Sequence, residues 1–137
     1  MSRGTKSALA SLVVLAAAGL RFAASDEVAT PDPGAAARLA TARDAFKAIE
    51  QMRSVGEHLD STRHYVWSRR LMEAERDAAA TRAERVAAAR GHVGRMSNLM
   101  KDIRVQFEHA EVSRLAFLDL QYHNDEAVSW LEKEKAK

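Results

Sequence analysis

Apolar residues recur every three or four positions along this chain, and four stripes with that spacing can be traced between residues 35 and 131. Ala35, Leu39, Ala42, Phe46 and Ile49 form the first, predicting a helix to about Ser54, where Gly56 and the polar run EHLDS interrupt it. His64, Trp67, Leu71, Ala74 and Ala78 form the second, ending near residues 77–80. The third is the most regular: Val86, Ala89, Val93, Met96, Met100, Ile103 and Phe107 alternate steps of three and four over three heptads. Ala116, Leu120, His123, Ala127 and Trp130 form the fourth, widened by Phe117, Leu118, Tyr122 and Leu131, a breadth that suggests contact with more than one neighbour. No segment alternates apolar and polar positions over a strand length, so the expected fold class is all-α.

Helix-start chemistry punctuates these stripes. Thr81 and Glu84 have the spacing of a capping box, in which a hydroxyl and a carboxylate each bond the other's backbone N–H. Ser113 opens the fourth helix, and Asp32-Pro33 has the character of a first start. Gly91 and Gly94 weaken the third helix by about 1 kcal/mol each relative to Ala, and permit close approach of a neighbour or a bend. Arg82, Arg85, Arg90 and Arg95 lie off the third stripe and read as a solvated face.

At an offset of 51 residues the order of parts repeats. EHLDSTR, residues 57–63, is echoed by EHAEVSR, residues 108–114, with Thr62 and Ser113 as the hydroxyl caps, and the stripes of helices one and three coincide. Two helical hairpins, at about 35–80 and 81–137, are therefore expected to pack as an antiparallel four-helix bundle or an elongated coiled-coil-like one. Glu57-His58 and Glu108-His109 stand just before the caps, where an acid favours a helix start.

The first 25 residues change the functional picture. MSRGTKS is basic, residues 8–20 are an uncharged apolar run, and Ala23-Ala24-Ser25 is a small-residue cleavage signature, so residues 1–25 read as a signal peptide cut before Asp26. A retained membrane anchor is the alternative, although a span needs roughly 20 apolar residues. Residues 26–34, DEVATPDPG, form a linker. Without Arg3, Lys6 and Arg21, 18 of the 21 basic residues face 19 acidic ones, so the high overall pI does not argue for nucleic acid. There is no cysteine, which excludes disulfides, a thiolate nucleophile, thioether-linked haem and lipidation after the signal.

The run AEVSRLAFLDLQYHNDEAVSWL resembles the helical repeat of bacterial outer-membrane efflux proteins of the TolC type: a small residue, then Ser, then an apolar start to a long helix. RHYVWSRRLMEAE, AERVAA and HVGRM are similar to exported repeat proteins of unknown role. The resemblance covers about residues 36–132. Glu108 to Glu111 stand where that pattern has glycine, and there is no membrane-spanning barrel pattern. It therefore implies at most a stand-alone relative of the helical part, accessory to an efflux or secretion assembly.

Candidate chemistry is sparse. Asp60 with His64 and Asp119 with His123 are carboxylate–imidazole pairs four apart, and with His58 and His109 they supply the material for a zinc or copper site. The Glu-x-x-His motif of di-metal bundles is absent, and His64 and His123 occupy stripe positions where a hydrogen-bonded core role is commoner. His92 is the fifth histidine. No Ser-His-Asp order or paired-carboxylate motif stands out, so no catalytic residue and no cofactor is assigned. Tyr65, Trp67, Tyr122 and Trp130 suit a core better than an aromatic pocket, and Arg69-Arg70 is solvated with Glu73 as its partner. The expectation is an exported, non-enzymatic helical protein that binds another protein, assembles in the envelope or self-associates. A metal- or stress-responsive periplasmic protein is the rival.

Overall fold

The structure is a computed structural model that describes residue 32, residues 34–55 and residues 60–137. Residues 1–31, which hold the expected signal segment and most of the expected linker, lie outside the described residues, as do Pro33, Gly56, Glu57, His58 and Leu59. Four helices follow in chain order: α1 (Ala35–Ser54), α2 (Ser61–Asp77), α3 (Arg82–Glu108) and α4 (Arg114–Ala136), with no strand among the described residues. None is long and apolar enough to cross a membrane.

Cross-helix pairs fix the directions. Arg38 at the start of α1 meets Asp77 at the end of α2 at 3.2 Å, and Phe107 late in α3 stacks on Phe117 early in α4. Ser68 of α2 likewise bonds His92 of α3. Consecutive helices are therefore antiparallel, giving two hairpins in an up-down-up-down bundle. Each helix packs chiefly on the next one; α2 touches α4 lightly, and α1 makes close backbone contact with α2 alone. α2 consequently needs two apolar faces. His64, Leu71 and Ala74 turn toward α1, where Ala42, Leu39 and Phe46 wait, while Tyr65 and Met72 turn toward α3 and α4. Met96, Leu99, Ile103, Leu120 and Ala127 complete the main core.

The starts of α3 and α4 match the cap chemistry. Thr81 Oγ1 accepts the Glu84 N–H at 3.2 Å while Glu84 Oε2 accepts those of Thr81 and Ala80, and Ser113 Oγ accepts the Ala116 N–H at 3.1 Å. These backbone bonds favour the ionised Glu84 and lower its pKa. The start of α2 differs from expectation: Asp60, not Thr62, is the cap, its Oδ1 accepting the Arg63 N–H at 3.0 Å. At the offset of 51 Asp60 falls on Glu111 rather than Ser113, so the two caps are out of register by two residues. Asp32 does not cap α1 directly. Its carboxylate accepts the N–H of Gly34, which is the N-cap.

The break after α3 also departs from expectation. Glu108 closes α3 and His109 is its C-cap, so the acid stands at the carbonyl end of a helix rather than near a start, where the helix dipole disfavours it. Ala110 follows at φ 59°, with its N–H bonded to Phe107 O and the Glu111 N–H to Gln106 O. That pair of bonds is a Schellman turn, and its left-handed position, usually glycine, is filled here by alanine. α3 runs unbroken through Gly91 and Gly94, and a Cβ at Gly94 would meet nothing within 4 Å among the described residues, so none of them uses that glycine to come close.

Candidate functional site

The histidines were the first candidates, and the fold separates them. His64 is buried on the α1 side of α2, edge-on to Phe46, with Nδ1 3.6 Å from Glu50 Oε1. Asp60 is elsewhere, exposed and committed to its cap, so the Asp60–His64 pair does not form. Asp119 and His123 do meet, at 3.8 Å, but the other ring nitrogen of His123 faces Glu126 at 3.6 Å, and the ring lies flat on Tyr65 at 3.6 Å. His109 is exposed at the end of α3, and His58 lies outside the described residues. Among the described residues no three His, Asp or Glu side chains converge as metal ligands.

A polar cluster in the core joins residues that the stripes did not single out. Ser68, fully buried on α2, accepts from Arg95 Nε at 2.9 Å, and its oxygen lies 2.8 Å from His92 Nδ1. Ser68 Oγ and His92 Nδ1 share one hydrogen bond, whose donor is set by the tautomer of the neutral imidazole. His92 is 1% exposed and stacks on Trp130, with Nε2 unpartnered. Burial, reinforced by Arg95 and Arg69, pushes its pKa down to about 3. Burial lowers that of His64 as well.

Arg95 is thus a correction to the solvated-face reading. It donates to both Ser68 Oγ and Ser68 O, lies over Phe46, and reaches toward Glu75. Gly91 leaves the space it occupies, since a Cβ there would lie 3.2 Å from Arg95 Nη1. His92 was nevertheless accessible to sequence reasoning, because Ala88, His92, Met96, Leu99 and Ile103 form a second stripe beside the first. The cluster ties α2 to α3, and neither Ser68 nor His92 lines the groove of about 490 Å³ between α1 and α2 or the groove of about 430 Å³ beside Arg95 and Glu75. Its chemistry is that of a hydrogen-bonded core.

The aromatics do not gather either. Tyr65 is buried and donates to Glu126 at 2.9 Å, Trp67 lines the α1–α2 groove under Arg70, and Trp130 carries Arg69, which also pairs with Glu73. Tyr122 points outward. Its departure exposes the surface of greatest interest: Leu115 is 77%, Leu118 46% and Tyr122 65% exposed. Spaced by three and four, they form one stripe on α4, opposite the stripe of Leu120, Ala127 and Leu131 that enters the core. α4 thus has the predicted breadth, but its outer face has no neighbour among the described residues.

No family model matches the chain, and neither a curated protein nor a solved structure shows significant similarity to it.

Proposed function

We propose that this chain is an exported helical protein that acts without catalysis, in protein–protein interaction or envelope assembly. The observation that supports this reading is the outer stripe of α4. Three large apolar side chains in line on a rigid helix leave the kind of surface that proteins bury against a partner. An accessory role in an efflux or secretion assembly is the narrower form of the proposal and follows only from the TolC-type resemblance.

A photo-crosslinking residue in place of Tyr122, in the chain expressed with residues 1–25 intact, tests the reading. Cell fractionation should place the chain outside the cytoplasm with Asp26 as its first residue. Irradiation should give a discrete adduct that Leu118→Glu abolishes. A chain retained in the cytoplasm overturns export, and the absence of any adduct in the envelope overturns the interaction.

A further inference from the structure

We infer that the outer face of α4 binds a second copy of this chain, in an antiparallel pair of α4 helices related by a two-fold axis near Leu118. The inference rests on the reading of α4 as an interaction face, and names its partner.

Charge placement selects the partner. Arg114 and Asp125 flank the apolar stripe at its two ends, eleven residues and so three turns apart on nearly the same side of the helix. Glu132 pairs with Lys135, and Asp119 and Glu126 lie beside the His123 ring, while Glu111 before the helix and Lys133 near its end have no ion partner among the described residues. Neither Arg114 nor Asp125 has an ion partner among the described residues. A parallel pair of helices would set the two arginines at one level and the two aspartates at another, on opposite sides of the seam, and pair neither with an opposite charge. An antiparallel pair sets each Arg114 against Asp125 of the second copy, and each Leu115 against Tyr122 of the second copy.

The two pairings share one centre. The midpoint of Arg114 and Asp125 falls between Asp119 and Leu120, and that of Leu115 and Tyr122 between Leu118 and Asp119, a difference of one residue or about 1.5 Å along the axis. Leu118 then meets its own copy within a turn of the axis. This is the self-complementarity that an isologous interface requires. The area is small, since three side chains from each copy fall below the about 1,200 Å² of a standard interface. Association is therefore expected to be weak, with a midpoint on the order of 100 µM.

The test is sedimentation equilibrium of the full chain across a hundredfold range of concentration, with helicity checked by circular dichroism. Wild-type protein should show a monomer–dimer equilibrium. Leu118→Glu, which sets two carboxylates together at the axis, should weaken it by about tenfold or more. Arg114→Asp should weaken it less, and the double reversal Arg114→Asp with Asp125→Arg should restore it to within about twofold of wild type. Self-association that ignores Leu118→Glu, or a double reversal no better than the single one, overturns the pairing. A wild-type chain monomeric throughout also overturns it, including the case in which another segment of the same chain covers α4. If that monomer still gives an adduct from position 122 with a different envelope protein, the second copy is refuted while the interaction reading stands. If it gives none, both fall.

Discussion

Lowering the pH from 7 to 5 should destabilise this protein through His92, before the carboxylates protonate. An unfolded histidine titrates near 6.5, whereas His92 in the fold is held down to about 3, so the unfolded chain binds the extra proton across the whole interval between. Stability contributed by the neutral ring is fully present above pH 6.5 and is lost as the pH falls toward 3. The slope is about 1.4 kcal/mol per pH unit, and integrating from pH 7 to 5 gives a loss of about 2 kcal/mol, a large part of a typical 5–15 kcal/mol. His64, also buried and shifted down, adds in the same sense. Glu84 and Glu134, both shifted below the ordinary range, lose their contributions only at more acid pH.

The assay is urea unfolding followed by far-ultraviolet circular dichroism at pH 7, 6 and 5, for wild type and His92→Asn. Asparagine keeps a polar group near the position of Nδ1, able to donate to or accept from the Ser68 hydroxyl, but has no proton to gain. The variant should be less stable at pH 7 by about 1–3 kcal/mol, from the lost ring and its stacking on Trp130. Its free energy should then fall with pH more gently than that of wild type. Parallel lines for the two proteins between pH 7 and 5 would refute the assignment of the acid sensitivity to His92.

Other substitutions follow from single features. Ala110→Gly should stabilise by about 0.5–1 kcal/mol in thermal unfolding, because it relieves an L-residue held at φ 59° and gives back only some chain entropy. Gly94→Ala should stabilise by a similar amount, about 0.8–1 kcal/mol, since its Cβ enters open space on an exposed turn of α3. Glu134→Gln should destabilise by about 1–3 kcal/mol in urea unfolding at pH 7, because the buried carboxylate lies near Arg76 and Arg85 and accepts from Lys137.

What the sequence disclosed followed from locality. The stripes and the caps at Thr81 and Ser113 depend on residues within one or two turns, and there the structure agrees. Asp60 and Thr62 are both competent caps two residues apart, and in the fold Asp60 takes the role. Glu108 looked like an acid before a helix because the extent of α3 is not written in its neighbours. Arg95 required knowledge of where α2 lies, since its burial is set by Ser68, twenty-seven residues away. α2 and α3 each carry two stripes, and the simplest period shows only one. The breadth of α4 was legible, while the emptiness of its outer half depends on where the other helices end up.

The order of packing along the chain carries a last consequence. Because α1 makes close backbone contact with α2 alone, it can detach while α2, α3 and α4 stay packed, giving up the ion pairs Arg38–Asp77 and Arg53–Asp102 at its ends and the contact of Arg95 with Phe46. Amide protons of α1 should therefore exchange with solvent through a local opening cheaper than global unfolding, and salt, by screening both pairs, should make that opening more frequent. When it opens, Leu71, Ala74 and His64 meet water together, so the buried imidazole of His64 gains a route to protons that His92, enclosed by α2, α3 and Trp130, does not share.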